Sequence, residues 1–379
     1  MDQPHTQRSR PRLALLALLA WACASPPFPV LPAWNQTGAP IVVEGDERAL
    51  WAEATRALEK LEEQDAFLAD ETLTQYLNGV LTTLLPEPLP AELPRTRPRV
   101  LRSSERSAVV LADGTVLVST SFLAALADEA QLAALLGHEA AHWLGRHSLI
   151  EKRFEKVSAS TVLRMELSRA QEDEADRVGI ELMKKAGYEP RAALEMLALI
   201  EADDTAKRGQ FPQFESHPFV RERIRAVRNQ VPRLAPEQGR RERARYEAAI
   251  PDLLLVATEI ELRAGLLDRA RASIERHLRL RPESGRGHYL KAEHERKIAR
   301  EGRHSPAARK AYERAVELAP DDPDALRALG FLCREVGEPE RARELFSHYL
   351  RVAPDAADRK LIERYLDGAP KHGEDATAP

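Results

Sequence analysis

The chain has 379 residues, 43% apolar and 31% charged, a globular composition with room for two domains that each bury a core. Its 56 Lys and Arg against 60 Asp and Glu give a net charge of -4, and aromatic residues make up 5%, which excludes a basic phosphate-tracking surface or an aromatic stacking platform for nucleic acid. With only Cys23 and Cys333 present, a multi-bridge disulfide scaffold is excluded as well.

At the N-terminus Arg8, Arg10 and Arg12 precede an apolar run over residues 13–22, the order of a secretory signal and too short to span a bilayer comfortably. The signal is assigned to residues 1–24 with two cleavage readings open: a lipoprotein-type cut before Cys23 that would acylate its thiol, or an ordinary cut after Ala24. Residues 25–45, rich in proline, read as a tether. Apolar residues then recur at three and four positions through Leu58, Leu61, Leu73, Leu77, Val80 and Leu81, which predicts two helices over 47–85 with Asp70 capping the second. Prolines at 86, 88, 90, 94 and 98 forbid helix and lead into apolar runs at 100–101, 109–111 and 116–118, with Asp113-Gly114 as a hairpin signal between the last two.

A helix from about Asp128 past His147 follows, capped by Asp128 or Ser121, and a second long helix over 164–186 stops at Gly187. Beyond Pro251 the chain turns to short amphipathic helices whose ends are marked by Pro282, Pro320 and Pro354, spaced by 38 and 34 residues. Leu326, Leu329, Gly330, Ala342 and Phe346 in the last unit fit the tetratricopeptide pattern of paired helices, with small residues where the helices approach. Cys333 falls on the buried face of such a helix, and residues 363–379 read as a disordered tail.

The chemistry is concentrated in His138-Glu139-Ala140-Ala141-His142, set within the apolar helix pattern of Leu132, Leu135, Leu136 and Leu144. Both imidazoles therefore project from one face a turn apart, where they can grip one divalent ion. Glu139, beside a ligand but not one itself, has the place of a general base. A catalytic metal site needs a third protein ligand and an open position, and Glu172 is the candidate. Asp176, four residues on along the same helix face, is able to orient Glu172 or a ligand histidine. The competing reading of this acidic stretch is a solvated helix face. His147 is read as a structural helix residue whose ring points off the metal face, and His288, His294, His304 and His348 as solvated.

These residues resemble zinc metallopeptidases of the BepA/HtpX/Oma type, a group that includes the CAAX prenyl endopeptidases. The likeness covers residues 65–230: the motif helix runs on to Arg146-His147, and residues 168–179 are similar throughout to the group's second signature. Together with the repeat pattern it gives an expected α+β fold: a mainly helical zincin-type metallopeptidase domain with a small β-sheet over 46–235, followed by an all-α tetratricopeptide solenoid over 250–362. It implies one zinc ion (Zn2+) per chain on His138, His142 and Glu172, with Glu139 catalytic and Asp176 in support. Ser216-His217-Pro218 followed by Arg223 resembles the group's His-Pro segment, so His217 is expected either to latch the open metal position or to donate a hydrogen bond to the developing oxyanion. A surface histidine before a turn proline is the alternative. The chain departs from the group at Ser107-Ala108, where an Asn is common, and in the 29 residues between His142 and Glu172, a short segment for the group.

The expected activity is a zinc metalloendopeptidase exported to the periplasm or outer-membrane surface, cleaving misfolded or unassembled polypeptides of the cell envelope. An extended substrate is expected to pair with a free edge of the strand at 116–119, and a protein partner to sit on the repeats. No nucleic-acid partner is expected, and membrane contact only through an N-terminal lipid. A repeat-based binding or chaperone scaffold with a latent zinc domain is the alternative. An integral membrane protease is excluded because no long apolar run follows the N-terminus.

Overall fold

The computed structural model describes residues 31–33, 42–89, 93–203, 219–234, 239–299 and 305–367. The expected signal segment with Cys23, most of the proline-rich stretch, His217, His304 and the residues from 368 onward lie outside the described residues.

Helices α1 (Gly45–Glu63) and α2 (Glu71–Leu84) fall where the leucine spacing puts them. The Asp70 carboxylate accepts from the Leu73 amide at 2.9 Å and satisfies one of the donors that a helix start leaves open. Strands β1 (Arg97–Leu101), β2 (Ala108–Val110) and β3 (Thr115–Ser119) form a sheet in the order β1-β3-β2. β3 runs parallel to β1 and antiparallel to β2, the latter through the Asp113-Gly114 turn, where Gly114 takes a φ of 79°. The edge expected at 116–119 is therefore absent: β3 is the central strand, and Val116, Leu117 and Val118 are wholly buried. An unbroken apolar run marks a strand covered on both faces, not an edge.

Next come α3 (Thr120–Ala125), α4 (Glu129–Leu144), α5 (His147–Val157), α6 (Thr161–Lys185), α7 (Ala192–Asp203), α8 (Val220–Leu234) and α9 (Arg243–Ala249). Every residue of α4 except His142 is buried, so this helix is the axis around which the others pack. Asp128 caps it by accepting from the Gln131 amide at 3.0 Å, while Ser121 sits inside α3. The helix expected to continue through His147 stops short, because Arg146 adopts a left-handed φ of 57° and α5 starts afresh at His147. Such a backbone costs a non-glycine residue roughly 1–2 kcal/mol. Here the Arg146 guanidinium is clamped by two hydrogen bonds of 3.0 and 2.5 Å to the buried Glu47 carboxylate in the first turn of α1.

Helices α10 (Pro251–Arg263) and α11 (Leu267–Leu280), α12 (Gly285–Ile298) and α13 (Pro306–Leu318), and α14 (Pro323–Glu335) and α15 (Pro339–Val352) pack as three successive pairs, closed by α16 (Arg359–Leu366). The molecule is thus mainly helical with one small sheet and a C-terminal helical repeat region. α16 packs Ile362, Tyr365 and Leu366 into the repeat core, so residues 363–366 are helix rather than tail. Cys333 is buried in that core. His294 is buried too, contrary to expectation, and its Nε2 hydrogen bonds the Leu267 carbonyl at 3.1 Å. Leu31 of the tether packs beside Ile150 and Phe154 of α5. Among the described residues no helix is long and apolar enough to cross a membrane.

Candidate metal centre

α4 presents His138 and His142 one turn apart, and α6 crosses it closely enough to bring Glu172 against both. Two glycines set the crossing. A Cβ on Gly179 would lie 2.9 Å from the His138 amide nitrogen, and one on Gly137 would lie 3.2 Å from the Gly179 carbonyl oxygen. Without side chains at these positions the two backbones meet directly.

The Nε2 atoms of His138 and His142 are 3.1 Å apart, and the Glu172 carboxylate oxygens stand 3.4 Å from the first and 3.5 Å from the second. Three ligands each about 2.05 Å from a tetrahedral ion are separated by roughly 3.3 Å, so the donor set and its spacing fit zinc. Charge fits as well. Glu139, Glu172 and Asp176 are buried around Arg223, a formal excess of two negative charges that a divalent cation balances.

Hydrogen bonds decide which nitrogen of each imidazole faces the ion. His138 Nδ1 lies 2.9 Å from Asp176 Oδ1; as the donor of that bond it leaves the Nε2 lone pair for the metal. His142 Nδ1 lies 2.8 Å from His147 Nδ1, and His147 Nε2 is 3.4 Å from Glu174 Oε2. Glu174 is held below the usual carboxylate range by the neighbouring His147 imidazole. The Glu174 carboxylate facing His147 Nε2 favours the proton on that nitrogen; His147 Nδ1 then accepts from His142 Nδ1, and His142 also keeps Nε2 unprotonated.

α8 contributes Arg223, 1% exposed. Its Nε and Nη2 grip Asp176 at 2.8 and 2.7 Å, and its Nη1 lies 2.9 Å from Glu172 Oε2. Burial alone would favour loss of the Arg223 charge, but the Asp176 hydrogen bonds and the fields of Asp176, Glu172 and Glu139 outweigh it and hold the group above its ordinary range. Burial works against the Asp176 charge too, and the hydrogen bonds from Arg223 and His138 overcome it, bringing Asp176 down to about 2. Glu139, the next residue after His138 on α4, is fully buried within the field of Arg223. His142 is the more open ligand, beside a cleft lined by Trp51, Leu111, Ala112 and Trp143.

The structure therefore brings His138, His142 and Glu172 together, sets Asp176 against His138, and buries Glu139 beside them. His217 lies outside the described residues, six positions before Arg223. His147 is not one of the three converging ligand residues, but its ring turns back to His142 instead of pointing away, because the left-handed Arg146 redirects the chain. No spacing in the sequence assigns a role to Glu174, and Arg223 stands out there only as the residue that follows the His-Pro segment. Arg223 is 51 residues beyond Glu172, and no helical period links the two.

Residues 89–160 and 149–231 match peptidase family M48, and residues 296–367 match the tetratricopeptide repeat. Over 155 residues the chain is 30% identical to the mitochondrial metalloendopeptidase OMA1 of Schizosaccharomyces pombe (strain 972 / ATCC 24843), a match taking in 35% of this chain and 46% of that protein. The chain thus spans about half the length of this curated relative.

Proposed function

We propose that the protein is a zinc-dependent endopeptidase with Glu139 as its general base, on the match of residues 89–231 to peptidase family M48 and of residues 296–367 to the tetratricopeptide repeat. The observation that carries this reading is the convergence of His138, His142 and Glu172 at 3.1 to 3.5 Å with Glu139 on the same helix. A zinc ion held by these three residues would supply Lewis-acid chemistry, making water more acidic and the scissile carbonyl more electrophilic. Glu139 takes the proton from the attacking water and returns it to the amine that leaves as the C–N bond breaks. Asp176 and His147 keep the two imidazoles in the ligating tautomer, and Arg223 keeps the Asp176 carboxylate charged and holds Glu172 in place.

The test uses protein lacking residues 1–24 and an unfolded polypeptide as substrate. Wild type should carry about one zinc per chain and cut. Glu139→Gln should carry the same zinc and cut roughly 10²–10⁴-fold more slowly. Metal-free wild type would sink the metal assignment, and an undiminished rate in Glu139→Gln would sink the base. A wild type that binds the unfolded chain without cutting it would favour the scaffold reading, against which the complete ligand set and Glu139 stand.

His217 is tethered six residues from Arg223, a span of at most about 20 Å, which supports a role at the centre. His217→Ala speeds hydrolysis if the imidazole latches the open position and slows it if the imidazole steadies the oxyanion. An unchanged rate would retire both roles. The Arg-then-apolar N-terminus supports export to the cell envelope, where misfolded or unassembled polypeptides would be the substrates and the repeats would hold a protein partner.

A further inference from the structure

Where the repeat region meets the peptidase region, a cavity of about 290 Å³ lies between α11 on one side and α3 with α7 on the other. α11 supplies Arg269, Arg276 and Arg279, spaced at seven and three residues so that they share one face, with Ala272 and Ser273 leaving room between them. Arg106 enters from the loop between β1 and β2 and Arg243 from α9, while among the lining residues the only carboxylate is Glu261 of α10.

The hydrogen bonds of Arg276 go to main-chain oxygens: it donates to the carbonyls of Ala124, Leu126 and Ala127 at 3.2, 2.6 and 3.2 Å. A carbonyl satisfies a donor without cancelling its charge. Arg243 and Arg279 lie 3.3 and 3.9 Å from the same Glu247, so one carboxylate serves two cations. Burial, and then the like charges of Arg279 and Arg243, hold Arg276 below its ordinary range against the fields of Tyr246 and Glu247. Burial pushes Glu261 upward, towards its neutral form. A chain with a net charge of -4 thus concentrates five guanidinium groups around one half-buried joint.

We propose that this cavity binds a phosphoryl group, carried either by a small soluble anion or by the headgroup of an anionic phospholipid, and that the bound group bridges the repeats to the peptidase region. A phosphoryl group offers three acceptor oxygens and up to two negative charges to several guanidinium forks at once, more of both than a carboxylate brings. The inference does not depend on the metal centre, so it stands or falls separately from the peptidase reading.

Full-length protein is titrated calorimetrically with inorganic pyrophosphate, and in a second arm co-sedimented with phosphatidylcholine vesicles with and without phosphatidylglycerol. Saturable binding in at least one arm is expected, weakened about tenfold or more by Arg269→Gln and by Arg279→Gln. Arg279 is more than half exposed and tolerates the change without refolding the helix. Arg263→Gln on α10, whose side chain is 79% exposed, serves as the charge-matched control and should bind as wild type does. Binding in the pyrophosphate arm identifies a soluble anion, and binding in the vesicle arm alone identifies a headgroup. Absence of saturable binding in both arms, or equal weakening by Arg263→Gln, would overturn the proposal.

Discussion

The two candidate ligand histidines are held by different neighbours. His138 leans on the carboxylate of Asp176, which Arg223 fixes in turn, while His142 leans on another imidazole, His147, backed by the half-exposed Glu174. Partners that fix a ligand's ring are worth roughly 10–100-fold in metal affinity. His147→Phe keeps an aromatic ring in the same space and removes the acceptor for His142 Nδ1. Its zinc affinity, measured by competition with a chromophoric chelator, is expected to fall by about that factor while far-ultraviolet circular dichroism stays unchanged. Equal affinity would strip His147 of its positioning role. The identities of His138, Glu139 and His142 were legible from a five-residue spacing, because one helix turn is enough to place them. The part of His147 was not, since it depends on a left-handed Arg146 that sequence offers no reason to expect: the stabilising partner, Glu47, is 99 residues away.

At the scale of elements, the centre depends on how close α6 can come to α4. The Gly137–Gly179 contact fixes that distance, and Glu172 sits two turns before Gly179 on the same helix. Gly179→Val places side-chain carbons where the His138 amide now lies, forcing the helices apart. Zinc content should drop to background, with a loss of thermal stability of about 1–3 kcal/mol from overpacking. Retention of stoichiometric zinc in this variant would show that the crossing has slack the geometry denies. The same scale explains the misplaced substrate edge. The run Val116-Leu117-Val118 has the apolar character of a strand buried on both faces, and its pairing with β1 as well as β2 leaves no open side.

At the scale of the molecule, the region that matches family M48 and the first repeat helix share one core. A single apolar cluster extends from Leu73 of α2 through Leu135 of α4 to Leu253, Leu254 and Ala257 of α10, with Tyr246 of α9 donating to the Leu123 carbonyl at 2.5 Å. A chain ending at residue 249 removes Leu253 and Leu254, each wholly or almost wholly buried, at a cost of about 2–5 kcal/mol apiece. It is expected to aggregate or to unfold at a markedly lower temperature than the full protein. An unchanged unfolding midpoint would mean that the first repeat helix is dispensable to the core around α4. The sequence by itself determined the positions of α1 and α2, the start of α4, the hairpin turn, the repeat punctuation and the candidate ligands on α4 and α6. Those features follow from periodicity and from residues within a few turns of one another. Only the tertiary structure decided that β3 is central, that Arg223 closes the metal centre, that His147 steers His142 and that five arginines meet at the joint. Each depends on groups far apart in the chain whose meeting is set by packing rather than by any local spacing.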